Sequence, residues 1–400
     1  MILGLYPEEE ESIIAIKSKR GREDAANKMQ WKFVKGFDDA NISTSIINAP
    51  YIGTFPFGYK DILYRGGKFS HVKGASDISV PFINLPFINY LSKLFFAKKE
   101  ILKWIKQNNS SNKAVILYAL NSYMGSCARY IKKVSPDTKI CLIVPDLPEY
   151  AYNTTSRSLL FRYFIRKEIE RAYSFFPYID CFVGLTAQMH CRLDPNKPFC
   201  VVDTIIDKTV CPVSLDQYKN NKKTFTYTGT LAPRYGLKDF VEAFMLVEDP
   251  DLQMIICGSG PQNMESYLHE CSNKDPRIRF LGLMPYKEVC DIQQKSFMLI
   301  NPRSNDSEYT AYSFPSKVAE YMSTGIPVLI YRLTGIAEEY YDKTYQFDDY
   351  NSISDAIMTL SKTDRTTLWE RAYKGVLFVE KEKSPKVQSQ KVYDLIKSLF

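Results

Sequence analysis

Apolar positions along the chain fall into short runs separated by longer amphipathic stretches. The clearest runs in the first half are 114–120 (AVILYAL), 139–144 (KICLIV), 179–184 (IDCFVG) and 199–204 (FCVVDT). They restart at 225–229 (FTYTG), 251–257 (DLQMIIC), 278–281, 297–300, 326–330 and 345–347. Near-continuous apolar runs of this length, bounded by turn residues, are the pattern of parallel strands buried on both faces. Between 114–120 and 139–144 lies a helical pattern that starts near Ser122 and ends before Pro136, which makes a βαβ unit. The fold class is therefore α/β. Lysine-rich residues 213–224 (VSLDQYKNNKKT) interrupt the pattern and mark a linker between two doubly wound domains. The expected layout is a first domain over 1–212, the linker, and a second domain over 225–380. A C-terminal helix over 381–400 follows, and packing back on the first domain is one option for it.

The first 75 residues are less regular. Met1–Leu5 has strand character, Ser12–Ile16 is able to open a helix, and Ile42–Pro50 suits a strand. Arg65-Gly66-Gly67-Lys68 has the form of a hairpin turn. Two later segments are basic and amphipathic. Residues 86–107 align Tyr90, Leu94, Ile101, Leu102 and Ile105 on one stripe, with five lysines, Trp104 and Phe95-Phe96 elsewhere. Residues 156–173 combine Arg157, Arg162, Arg166, Lys167 and Arg171 with Leu159, Leu160, Phe161, Tyr163, Phe164 and Ile165. Each suits either a solvated domain helix or a peripheral membrane contact.

With 400 residues, 45% hydrophobic and 24% charged, the chain has the composition of a globular protein with room for two cores. A net charge of +7 disfavours a dedicated nucleic-acid binder and permits attraction to phosphates or anionic lipid. Nine scattered cysteines without CxxC pairs, and three histidines, point to reduced thiols rather than a disulfide or metal framework. The acidic N-terminus lacks the form of a signal peptide, and no apolar run approaches the roughly 18 residues of a spanning helix. The expectation is a cytoplasmic protein, with the inner face of the plasma membrane as a further option.

Parallel sheets bind ligands at their carboxyl edge, which directs attention to the strand ends. The second strand of the βαβ unit runs into Pro145-Asp146-Leu147-Pro148-Glu149, so Asp146 and Glu149 are pinned near that edge. Asp146 is a candidate for an acceptor hydroxyl, and a capping role suits it equally. In the second half, a polar loop leads to Pro315, then to a helix with Ser316 and Lys317 in its first turn, Glu320 one turn on, and Gly325 as its stop. Unpaired N–H groups and a lysine at a helix start suit a phosphate. Asp249-Pro250-Asp251, the DxD of the chain, precedes a strand and is a turn at the opposite edge.

Residues 227–244 (YTGTLAPRYGLKDFVEAF), 256–261 (ICGSGP), 279–284 (RFLGLM), 299–303 (LINPR) and 313–329 (SFPSKVAEYMSTGIPVL) together resemble the retaining GT-B glycosyltransferases of the large bacterial polysaccharide-biosynthesis family, the family 4-like enzymes. The resemblance implies two Rossmann-like doubly wound domains facing a cleft, with a nucleoside diphosphate sugar held mainly by the second. It implies Glu320 on the ribose hydroxyls, Ser316 and Lys317 at the diphosphate, Gly229 and Gly258 in glycine loops, and Leu283 and Met284 by the base. The family's usual sugar-handling glutamate is replaced by Tyr312, with Glu308 four residues earlier as a substitute. Thr230 and Tyr235 stand where the family carries arginine and lysine. Arg234, Lys317 and Arg303 are then the cations expected to neutralise the leaving diphosphate, without a metal or other cofactor.

The activity so implied is transfer of a sugar, with retention, to a glycan or lipid-linked glycan. A non-catalytic nucleotide-sugar-binding subunit and a nucleotide-sugar epimerase remain open alternatives. Lys317, Arg234 and Asp146 are the candidate catalytic residues.

Overall fold

The computed structural model describes residues 1–19, 21–108, 110, 112–151, 158–207, 211–305 and 307–400. The chain divides into two compact units, one built from Met1–Ile205 with Pro385–Phe400 and the other from Ile206–Ser384. In the first, β1 (Ile2–Leu3), β2 (Ile47–Asn48), β4 (Gly67–Phe69), β5 (Asp77–Ser79), β7 (Ala114–Tyr118), β8 (Lys139–Val144), β9 (Cys181–Gly184) and β10 (Phe199–Val201) form one sheet; β3 (Leu63–Tyr64) and β6 (Phe82–Ile83) pair separately. The sheet order is β10-β9-β8-β7-β1-β2-β5-β4, with only β4 antiparallel to its neighbour.

Among its described residues the second unit has six strands: β11 (Thr224–Thr228), β12 (Gln253–Cys257), β13 (Ile278–Gly282), β14 (Met298–Asn301), β15 (Val328–Tyr331) and β16 (Tyr345–Phe347). They are all parallel in the order β13-β12-β11-β14-β15-β16. The chain builds outward from β11 to β13, then crosses to β14 on the other side. This reversal at β11/β14 is a topological switch point, where the loops of neighbouring strands diverge and leave a crevice at the carboxyl edge.

The helix of the βαβ unit spans Ser122–Val134. It starts where the Asn121 side chain accepts a bond from the Met124 N–H at 3.0 Å, and ends in Lys132 and Lys133, as capping and the helix dipole favour. Two helices, Glu8–Lys17 and Asp24–Asp39, occupy the stretch whose sequence pattern is irregular. The final helix, Pro385–Lys397, packs against Asp24–Asp39, adding Val392 and Ile396 to a core that includes Phe33, Phe37 and Ile143.

Three local expectations need amendment. Gly66, at φ +66°, does not turn a hairpin, because β3 and β4 on either side of it pair in different sheets. Residues 213–224 are part of the second unit: Leu215–Lys219 is a helix with a Ser214–Gln217 capping box, and Tyr218 is buried and bonds to the Phe297 carbonyl at 3.0 Å. Of the expected stripe on Ile88–Gln107, Ile101 is fully buried, and Ala97 joins it. The other basic helix is described from Leu159 to Tyr173, so Arg157 lies outside the described residues.

Candidate active site

The carboxyl edge of the second sheet is closed by three glycine turns stitched to one another. Gly229 donates its N–H to the Cys257 carbonyl at 2.7 Å, and Gly258 donates to the Gly282 carbonyl at 2.8 Å. All three glycines have positive φ, at +139°, +150° and +68°. A Cβ on Gly258 would lie 1.7 Å from the Gly229 carbonyl oxygen, so the backbones approach more closely than any side chain permits.

Lys317 reaches this edge from the helix Lys317–Met322. Its ammonium donates to the Thr228 carbonyl at 2.7 Å, and it occupies the space where a Cβ on Gly229 would be, 1.1 Å away. Burial pulls its pKa down to about 8, with the Glu320 carboxylate acting in the opposite sense. One turn along, the buried Tyr321 hydroxyl accepts from the Thr228 N–H at 3.0 Å and donates to the Thr228 carbonyl at 3.0 Å. Gln293 donates to the Thr228 hydroxyl at 2.8 Å. Thr228 is thus clamped from two elements. Neither Tyr321 nor Gln293 is among the residues that the motifs single out. The available signal for Tyr321 is its position four residues after Lys317, on the same helix face.

Glu320 is exposed, with the Ser316 hydroxyl 3.5 Å from its carboxylate, so both are open to a ligand. Leu283 (78% exposed) and the half-buried Met284 follow β13 at the same carboxyl edge, and Thr230 is exposed beside Gly229. Tyr312 donates to Glu308 at 3.4 Å within the short turn Glu308–Tyr312.

The structure brings Arg234 and Arg303 together. Both guanidinium groups lie over the rings of Tyr235 and Tyr309, at 5.0–5.8 Å. They line a hollow of about 140 Å³ that neither Gly229 nor Lys317 lines.

In the first unit, Asp146 lies half-buried just past the end of β8. Glu149 accepts from Arg192 and from the Tyr173 hydroxyl, each at 2.7 Å. Burial raises its pKa, and these bonds outweigh that effect to leave the carboxyl below its usual range. Asp249-Pro250-Asp251 sits at the amino end of β12, with the Asp251 N–H bonded to the Asp249 carboxylate at 3.0 Å. Among the described residues, no three His, Cys, Asp or Glu side chains cluster in a way that would hold a metal ion.

Two Rossmann-like units, the second with a glycine-lined carboxyl edge at its switch point, place the chain in the GT-B fold class. Residues 222–363, within the second unit, match the family described as glycosyl transferases group 1. No curated protein matches the chain in sequence. Among solved structures, sucrose-phosphate synthase from Thermosynechococcus elongatus is 14% identical with a TM-score of 0.63, covering 100% of this chain and 98% of its own. Anabaena HepE in complex with UDP and glucose is 11% identical, with a TM-score of 0.62 and 99% coverage of each chain. The catalytic domain of starch synthase IV from Arabidopsis thaliana, bound to ADP and acarbose, is 11% identical with a TM-score of 0.62, covering 99% of this chain and 98% of its own.

Proposed function

We propose that this chain transfers a sugar from a nucleoside diphosphate sugar to a hydroxyl acceptor, with retention at the anomeric carbon. The observation that carries the reading is the Lys317 ammonium held against the Gly229 turn at the switch point of the family-matched unit. A fixed cation there stabilises the negative charge that develops on the leaving diphosphate more than it stabilises the ground state. Glu320 receives the ribose hydroxyls, and Leu283 with Met284 borders the base. With Lys317 in this role, transfer proceeds without a divalent metal, and turnover survives EDTA.

The acceptor belongs to the first unit. A hollow of about 290 Å³ there is bordered by Tyr6, Arg22, Tyr51 and Phe57, whose rings suit the apolar faces of a glycan. Asp146, past β8 in the same unit, is the candidate partner for the acceptor hydroxyl. No described helix is long and apolar enough to cross a membrane. Leu159, Leu160, Phe161, Tyr163 and Phe164 are nevertheless each at least half exposed, alongside Arg162, Arg166 and Lys167. Phe87, Leu91 and Phe95 are exposed on or beside the neighbouring helix, which Arg171 joins through the Tyr90 hydroxyl at 2.8 Å. This apolar and basic surface favours a lipid-linked acceptor at an anionic membrane.

The test is product analysis with purified protein, a panel of UDP-, GDP- and ADP-sugars, and polyprenyl-linked and free glycan acceptors. A new glycosidic bond of unchanged anomeric configuration supports the reading. Nucleotide binding without transfer to any acceptor favours a binding subunit instead, for which Tyr312 at the usual glutamate position is the motive. An isomerised sugar formed from donor alone identifies an epimerase. Sedimentation with phosphatidylglycerol vesicles at low and high salt checks the membrane reading.

A further inference from the structure

Among the described residues, the hollow beside the switch point holds a buried cation without a counter-charge. Arg303 is 6% exposed and its Nη2 has no hydrogen-bond partner. Among the described residues it makes no ion pair; the Tyr309 and Tyr235 rings, at 5.0 and 5.8 Å, are its neighbours. Aromatic faces offset only part of the cost of taking a guanidinium out of water, so the arrangement is unfavourable until an anion arrives. Arg234 adds a second cation over the same rings. Asp239 also lines the hollow, but it is exposed and pairs with neither arginine among the described residues. Its charge is therefore left to solvent.

The hollow lies between the loops that leave β11 and β14, the two strands of the switch point. The Gly229 turn and the Lys317 helix depart from the same two strands, yet neither lines it. An anion here is therefore additional to a diphosphate at Gly229 and Lys317. We propose that Arg303, assisted by Arg234, binds a carboxylate on the sugar being transferred, so that the donor is a nucleotide-linked uronic acid. The proposal rests on the donor reading above. A planar guanidinium with free N–H groups matches a carboxylate in two parallel hydrogen bonds. Tyr312 fits the same assignment. A carboxylate at that position would repel an acidic sugar, whereas a phenol does not, and the nearby Glu308 carboxylate accepts from Tyr312 and stays outside the hollow.

Calorimetry on the full chain tests this in two stages. UDP, GDP and ADP are titrated first; then UDP-glucose against UDP-glucuronate, GDP-mannose against GDP-mannuronate, or ADP-glucose against ADP-glucuronate, for the base that binds. The uronate form is expected to bind at least about tenfold tighter than the neutral one, one charged hydrogen-bonded pair's worth. Arg303→Met should erase that ratio while Arg303→Lys keeps part of it. Because Met removes an unpaired buried charge and keeps the apolar length, the variant's melting temperature should hold or rise. Equal affinities for acidic and neutral sugars in the unaltered protein overturn the proposal. So does an Arg303→Met variant that weakens the bare diphosphate and both sugars alike, which assigns Arg303 to the diphosphate and leaves the donor reading standing. Binding of none of the three diphosphates removes the donor reading itself, and the uronate assignment with it.

Discussion

The Lys317 ammonium and the Thr228 carbonyl oxygen are 2.7 Å apart, and the Tyr321 hydroxyl donates to the same oxygen at 3.0 Å. One carbonyl, with its two lone pairs, anchors two side chains a helical turn apart. The cation at the sheet edge is thus fixed in place before any ligand binds, as electrostatic preorganisation requires.

Replacing Lys317 by alanine should lower turnover about 100- to 1000-fold, in the range seen when one preorganised charge-stabilising group is removed. Circular dichroism should be unchanged, since Tyr321 and Gln293 still hold Thr228. Steady-state rates with the preferred donor decide it, and an unaltered rate removes Lys317 from the mechanism.

Donor affinity should fall as pH rises through about 8. Burial lowers the Lys317 pKa to that value in the free protein. Below it the diphosphate meets an ammonium; above it, a neutral amine that must first take up a proton. A bound diphosphate raises the pKa again, so binding above pH 8 should be accompanied by proton uptake. Titrations in buffers of different ionisation enthalpy measure that uptake, and Lys317→Ala should abolish it.

The three glycines should separate by substitution. Gly258→Ala drives a Cβ into the Gly229 carbonyl, a backbone atom, and should lower the melting temperature substantially. Gly229→Ala meets the end of the flexible Lys317 side chain, so it should cost function more than stability, beyond the strain of its φ of +139°. Gly282 has φ +68° and open space where a Cβ would stand, so Gly282→Asn, a residue that tolerates this conformation, should fold normally. Thermal denaturation of the three variants beside their donor affinities tests the order.

Tyr321→Phe should destabilise the second unit by about 1–3 kcal/mol, the cost of leaving buried polar groups at Thr228 short of a partner. It should also raise the donor KM, because Lys317 then shares its anchor with an unsatisfied backbone. Denaturant unfolding and steady-state kinetics read the two effects separately.

Much of the second unit is legible in the sequence because its strands are short apolar runs, three of them ended by glycine. Residues 225–229 and 251–257 correspond to β11 and β12. The first 75 residues are not, for a physical reason. β1 and β2 are two residues each, too short for a period, and Asp24–Asp39 buries Asn27 and Gln30, whose side-chain oxygens accept from the backbone of Tyr6 and Gly4 instead of facing solvent. In the candidate site, the contact of Lys317 with Gly229 follows from strand order, which local pattern does not supply. The resemblance sets Arg234 and Arg303 at one diphosphate; their sharing of the Tyr235 and Tyr309 rings is a product of the β11/β14 reversal that local pattern does not supply.

The return of Pro385–Lys397 to the first unit has a consequence for how the protein is made. Ser389 donates to the Phe33 carbonyl at 3.0 Å, and Gly36 sits so close to Pro385 that a methyl there would lie 2.2 Å from its carbonyl oxygen. In chain order, the second unit is therefore one uninterrupted stretch inserted within the first. On the ribosome it can finish folding while the earlier-synthesised unit still waits for its last helix. The unit that emerges first is the one completed last, and until then the apolar faces of Phe33 and Phe37, which share a core with Val392 and Ile396, are open to chaperones.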